Sequence, residues 1–202
     1  MMLMLISIGI FAAMYIAAML TLKGGFLKPQ MFFDLLNDNA YLIIISCGLT
    51  IVMIGGGINI SVGGVISLTV MSCALFLNSS SIRNDPLCIL VTLLLALGIG
   101  LAFGLLQGFL VSYLDIQPFI VTLAGMFLAR GLTTILSVNP VTVAHEGFQT
   151  LVKTKLRISW LGSPSLDGGW IPAKIEIGAI VAIAVVIGMF LLLGYTKFGR
   201  SI

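Results

Sequence analysis

The sequence predicts an all-α, polytopic transmembrane helix bundle of about six spans, and three observations carry that prediction. Apolar residues make up 59% of the 202 positions and charged residues only 8%, where an ordinary soluble domain is roughly a quarter charged. Seventeen charged side chains, 10 basic and 7 acidic, cannot cover the water-facing surface of a chain this size, whereas hydrocarbon accepts an apolar exterior. Apolar stretches of about 20 residues, the length of a spanning helix, recur along the chain. Finally, no charged residue occurs between Asn39 and Ile82. The net charge of +3 is small and scattered, which fits membrane-protein loops and argues against a nucleic-acid partner.

The first predicted span is 3–22, ended by Lys23-Gly24-Gly25. It is about twice the length of a signal-peptide core, has no basic stretch before it and is followed by no small-residue cleavage site, so it reads as a retained span. A polar re-entry follows, with Lys28, Pro29, Asp34, Asn37, Asp38 and Asn39. The uncharged run beyond it is too long for one helix. Gly55-Gly56-Gly57-Ile58-Asn59-Ile60-Ser61-Val62-Gly63-Gly64 interrupts it, giving spans at about 40–57 and 62–78. Loop chemistry around Asp85-Pro86 separates these from a fourth span, about 87–112. Asp115 and Gln117-Pro118 mark the next turn, and Pro118 suits the first turn of a fifth span, about 118–136. The segment 137–174 is the longest hydrophilic one and reads as an extramembrane loop. Trp160 and Trp170 anchor it at the interface. A sixth span covers 177–195. All six form one transmembrane domain, 1–202.

The glycine-rich interruption between spans 2 and 3 is the most informative segment. Within a bilayer every backbone N–H and C=O needs a partner, so irregular backbone survives there only inside protein or along a water-filled path. Broken helices of that kind recur at transporter substrate pathways. A tight hairpin at the membrane surface is an equally good reading of the pattern alone. In the fourth span Gly100, Gly104 and Gly108 recur every four residues, a small-residue ridge that lets another helix approach closely. Arg130, inside the fifth span, either faces the protein interior or snorkels toward the helix end.

Several chemistries are absent. His145 and Glu146 are adjacent but have no nucleophile or third ligand, so they do not form a catalytic pair. Cys47, Cys73 and Cys88 lie in or beside apolar runs without partners at ligand spacing, and read as small buried apolar side chains. No metal or other cofactor is implied. The glycines at 55–57 lack the Lys-Ser/Thr of a phosphate-binding loop, so ATP is not bound by that route.

Gly56-Gly57-Ile58-Asn59-Ile60-Ser61-Val62-Gly63 resembles the Gly-Gly-Ile-Asp-Leu-Ser-Val-Gly signature of monosaccharide ABC-transporter permeases of the ribose/xylose/galactose type. Two more matches follow in the family's order. Pro118-Phe119-Ile120-Val121-Thr122-Leu123-Ala124-Gly125-Met126, with Arg130-Gly131 after it, is similar to the family's Pro-Phe-Ile-Val-Thr-Leu-Gly segment, and Thr196-Lys197-Phe198-Gly199-Arg200 is similar to the Thr-Arg-Phe-Gly-Arg that opens its cytoplasmic coupling loop. The likeness runs from about Phe32 to Ile202, and galactofuranose-type permeases resemble the chain most.

The resemblance implies a permease subunit of an importer that moves a monosaccharide across the inner membrane by alternating access. The expected partners are a second permease subunit, a cytoplasmic ABC ATPase that binds the ATP, a periplasmic or lipid-anchored sugar-binding protein, and membrane lipid. It places Gly56, Gly57, Asn59, Ser61 and Gly63 at a pathway-facing helix break. Pro118, Thr122 and Arg130 lie on a candidate pathway, and Thr196, Lys197, Gly199 and Arg200 at the start of the ATPase contact. Asn59 departs from the family's Asp, which keeps the shape and loses a charge. The chain also stops where the family continues through a coupling helix and further spans, so a C-terminally truncated permease is expected. Loop Lys and Arg residues alone favour both termini outside. The resemblance puts 196–202 in the cytoplasm and is preferred, because a docking segment must meet a cytoplasmic ATPase. Other readings are an ABC permease for nucleosides, autoinducer-2 or branched-chain amino acids, an ATPase-independent transporter or channel, and an inert fragment.

Overall fold

A computed structural model describes residues 2–21, 29–79, 85–164, 170–197 and 199. The predicted spans form α1 (Met2–Thr21), α3 (Ala40–Ile54), α4 (Val62–Ser79), α5 (Asp85–Tyr113), α6 (Pro118–Leu136) and α8 (Ile177–Tyr195), each within three residues of its expected bounds. Five described helical segments are long and apolar enough to cross a membrane: Phe33–Ile54, Val62–Ser79, Pro86–Tyr113, Pro118–Leu136 and Ile177–Tyr195. In α1 the apolar helix described is shorter, Leu5–Ala18. Large apolar side chains such as Leu105, Phe109 and Phe190 stand exposed along these helices. That is an untenable surface in water and an ordinary one in lipid.

Two segments expected to be loops are ordered. The polar re-entry contains α2 (Pro29–Asp38), and the 137–174 segment contains α7 (Glu146–Lys153) and an antiparallel hairpin of β1 (Lys155–Pro164) and β2 (Trp170–Glu176). Both helices are amphipathic but too short and too polar to span a bilayer, and side-chain hydrogen bonds fix them in place. In α7, His145 caps the helix: its Nδ1 accepts from the Phe148 N–H at 3.3 Å, while its carbonyl accepts from Gln149 N–H at 3.1 Å. Glu146 then sits in the first turn, where a negative charge suits the helix dipole. Asn78, near the end of α4, holds the preceding chain with both ends of its amide, donating to Thr142 O at 2.8 Å and accepting from Ala144 N–H at 2.9 Å.

The chain divides into two compact units. One comprises residues 1–44 and 154–188. Its hairpin pairs Lys155 with Glu176 and Pro164 with Trp170, with an irregularity between Ile158 and Gly162 that includes Trp160. The exposed edge of a two-stranded sheet needs partners, and α2 supplies them. Gln30 Oε1 accepts from Lys174 N–H at 3.1 Å. Two helical turns later Asn37 donates to Lys174 O at 3.1 Å and accepts from Glu176 N–H at 3.0 Å. The apolar core of this unit is Ala40, Ala179 and Ala182, packed by Leu36, Ile43, Ile44 and Ile175.

The other unit comprises residues 45–153 and 189–202, and its centre is the packing of α4 against α5 and α6. Small residues set the α4–α6 distance. A Cβ on Gly64 would stand 2.9 Å from Met126 O and 3.3 Å from Met126 Cα, and Ala129 beside it is fully buried. Along Gly100, Gly104 and Gly108, where a close helix approach is expected, the described residues bring no helix that near. A Cβ at any of those three would meet nothing within 4 Å, because their face of α5 borders open space rather than a helix among the described residues. Substituting Gly64 by Val should therefore push α4 off α6 and cost about 1–3 kcal/mol. It should be read as a lower thermal midpoint in detergent, while Gly63→Ala, which meets nothing within 4 Å, should leave the midpoint unchanged or slightly raised.

Candidate functional site

The break between α3 and α4 is a chain of capped ends. At the end of α3, Gly56 adopts φ +78°. The Gly56 N–H donates to Met53 O and the Gly57 N–H to Val52 O, both at 3.0 Å. This paired pattern with a left-handed residue is the glycine-dependent helix stop of the Schellman motif. It ends α3 at Ile54, three residues short of the expected boundary. The chain then runs non-helically through Gly57–Ile60 until Ser61, whose carbonyl accepts the Val65 N–H at 2.9 Å and so starts α4.

Neighbouring side chains satisfy the exposed backbone. Asn59 Oδ1 accepts from the Ser61 N–H at 3.0 Å and from Ser61 Oγ at 2.7 Å. From α6, Thr122 Oγ1 shares its proton between Ile58 O at 3.1 Å and Phe119 O at 3.2 Å. From α5, the Gln107 amide reaches Ser61 Oγ at 3.0 Å. Ser61, Gln107 and Thr122 are all buried. Gln107 lies six residues before Tyr113, the last of α5, and hence about 9 Å from that end of the helix. Two spans, α5 and α6, thus face the break through Gln107 and Thr122, while Gly55, Gly56 and Ile58 on its other side stand exposed.

Beside the break lies a cavity of about 400 Å³ whose walls include Gly55–Asn59, Gln107, Gly108, Pro118 and Thr122. A second, of about 160 Å³, is bounded by Asn59, Ser61, Gly100, Gly104 and Gln107. No ionisable side chain lines either one. The first can therefore hold a small neutral solute by hydrogen bonds, but it offers no charged acid or base.

Of the residues expected at the pathway, Gly56, Gly57, Asn59, Pro118 and Thr122 line the larger cavity and Ser61 the smaller. Gly63 is exposed on the first turn of α4, and Arg130 is exposed on α6 and borders neither cavity. The ridge glycines contribute cavity wall, Gly100 and Gly104 to the smaller cavity and Gly104 and Gly108 to the larger. At the end of α8, Thr196 and Lys197 are exposed and the Gly199 N–H donates to Thr196 Oγ1 at 3.3 Å. Arg200 lies outside the described residues. The site also contains a residue that sequence reasoning passed over, Gln107. The signal is present in the sequence, since a glutamine deep in an apolar span is a functional flag.

Comparison with known proteins identifies the family. The family model described as the branched-chain amino acid transport system / permease component matches residues 31–202. The chain belongs to this family. The permease is 36% identical over 98% of its length to the inner membrane ABC transporter permease protein YjfF of Escherichia coli, covering 55% of that protein. It is 30% identical over 90% of its length to the fructose import permease protein FruG of Bifidobacterium longum, covering 50% of it. It is also 30% identical over 84% of its length to the galactofuranose transporter permease protein YtfT of Escherichia coli, covering 43% of it. The chain therefore spans about half the length of the curated relatives it matches. No solved structure matches it. With its apolar helices and this membership, the chain is a multi-pass membrane protein of a permease family.

Replacing Thr122 by the isosteric Val removes the donor to the Ile58 carbonyl and leaves that group unpaired. The expected cost is about 1–3 kcal/mol, together with faster amide hydrogen exchange confined to residues 57–61. Unchanged protection there would show that the break does not depend on α6.

Proposed function

We propose that the permease is the membrane subunit of an ATP-binding-cassette importer for a monosaccharide, working in the inner membrane by alternating access. The observation that carries this reading is the broken helix faced by two spans, beside a cavity lined by neutral hydrogen-bonding groups. Transport requires no bond chemistry, only two helix packings whose populations are biased by partners and by ATP occupancy on a separate ATPase. A second permease subunit would complete the path, a binding protein would deliver the sugar, and the ATPase would dock at the segment beginning with Thr196 and Lys197. No cofactor is needed on this chain itself.

The family description names branched-chain amino acids, and the relatives named above include permeases for fructose and galactofuranose. The cavity favours the sugars. A zwitterionic amino acid carries two charges whose burial without partners is costly, and no charged side chain lines the cavity. Sugar hydroxyls match amide, hydroxyl and backbone groups directly.

The test is ATP-dependent uptake by the full-length permease, reconstituted with its ATPase and binding protein, of labelled D-fructose, D-ribose and D-galactose against L-leucine. Uptake of a sugar and not of leucine is expected, and leucine uptake alone would reverse the assignment. Gly57→Leu should abolish uptake without impairing membrane insertion, because a Cβ there already stands 3.2 Å from Val52 Cγ1 and 3.4 Å from Val52 O. Normal uptake by that variant would remove the break from the pathway.

A further inference from the structure

Between α4 and α5 lies a further cavity, of about 560 Å³, whose character differs from that of the two beside the break. Its walls include Thr69, Cys73 and Ala74 on α4 and Ile89, Thr92 and Ala96 on α5. No charged side chain among the described residues lines it. Its three polar side chains are spent on backbone carbonyls. Thr69 Oγ1 donates to Val65 O and Thr92 Oγ1 to Cys88 O, each at 2.8 Å, and the Cys73 thiol reaches across to Thr92 O at 3.7 Å. The walls therefore present methyl and methylene groups, with no side-chain donor left for a solute. A buried water needs two or more polar partners and a sugar needs more, so this space suits neither.

The cleft is stoppered at one end and open along its side. Asn78 grips the chain at Thr142 and Ala144, and Val143 between them lines the cavity. Phe148, in the first turn of α7, lines it too, its N–H held by His145 Nδ1 at 3.3 Å. These two apolar side chains close the cleft near Ser79, where α4 gives way to a polar stretch of chain. The open side lies deeper. Val70 and Leu93 also line the cavity, yet they are 61% and 60% exposed. Val70 lies nine residues before Ser79, the last of α4, and Leu93 eight after Asp85, the first of α5. Both thus stand about 12–14 Å along their helices from that end, a depth that falls within hydrocarbon. Leu90, Leu94 and Leu97 beside them on α5 are exposed as well, so the mouth is continuous with the apolar outer surface of that span.

We propose that this cleft is a binding site for an acyl chain of a membrane phospholipid. An apolar space left empty forfeits dispersion contacts on every side, its walls repel water, and hydrocarbon is the medium at its mouth. The volume lies within the range of sites that enclose one small ligand. The hydrogen bonds that pin residues 142–144 acquire a purpose here, because they hold Val143 where water would otherwise reach the end of the cleft. The site needs only immersion in a bilayer and is independent of the transport reading.

The test uses the full-length permease in phospholipid liposomes doped with a phosphatidylcholine that carries a diazirine in one acyl chain. After illumination the adducts are located by peptide mass spectrometry, with total labelling of the chain as the reference. Adducts on Ala74 and Thr92, both buried, are expected. Ala96→Phe, which fills the cleft, should lower them at least severalfold against the reference. Wild-type labelling that spares Ala74 and Thr92 would overturn the site and leave a protein side chain as the occupant, and so would adducts that Ala96→Phe leaves unchanged. Native Cys73 gives a second measurement that needs no variant. In lipid-stripped detergent solution an apolar maleimide should modify it severalfold faster than after phospholipid is restored, while glycerophosphocholine, which has no acyl chain, should give no protection. Equal rates with and without phospholipid, or protection by glycerophosphocholine, overturn the inference.

Discussion

The requirement that backbone polar groups be paired away from water governs this structure. A chain that stops being helical inside a helix bundle exposes donors and acceptors that lipid cannot satisfy. Here the helix is interrupted for the residues between Ile54 and Val62, and the neighbouring groups take up the consequences. Gly56 and Gly57 close α3 on itself. Asn59 and Ser61 open α4, while Thr122 holds the stranded carbonyl of Ile58. Each partner needs the next element to be close, so the break dictates where α5 and α6 stand. Gly64 and Gly125 then permit that closeness, the first against the backbone of α6 and the second against the Gln107 amide.

The same requirement makes the break useful. Groups that merely need partners produce a quiet core, whereas neutral polar groups that border a cavity can bind something. The cavity walls combine backbone from the break with the side chains of Asn59, Gln107 and Thr122, all neutral. Neutral groups can exchange hydrogen bonds with a passing solute without holding it by charge, which suits a component that must release its cargo on the far side. On the proposed function, the permease contributes recognition and a path, and the energy enters through a partner.

Order outside the spans arises by a different route. The hairpin of β1 and β2 would be marginal alone, but Gln30 and Asn37 on α2 treat Lys174 and Glu176 as if they were the next strand. His145 and Asn78 do comparable work around α7. The adjacent His145 and Glu146, which superficially suggest an acid–base pair, are a cap and a first-turn anion.

Hydrophobic length and loop chemistry were sufficient to place α4, α5, α6 and α8, since a bilayer imposes a span length that a linear string reveals. The glycine cluster likewise announced a break, and its likeness to a known signature announced the family. What a linear string cannot show is which groups meet across helices. Gln107 and Ser61 are 46 residues apart and Thr122 is 64 from Ile58, and periodicity within one span says nothing about a partner on another. For that reason the close approach at Gly64, in the first turn of its helix, carried no signal in the sequence, whereas the regular ridge of Gly100, Gly104 and Gly108 did. Lipid immersion is written into composition, because it sums over residues one at a time. The site is not, because a hydrogen bond depends on pairs, and only the folded backbone decides the pairs.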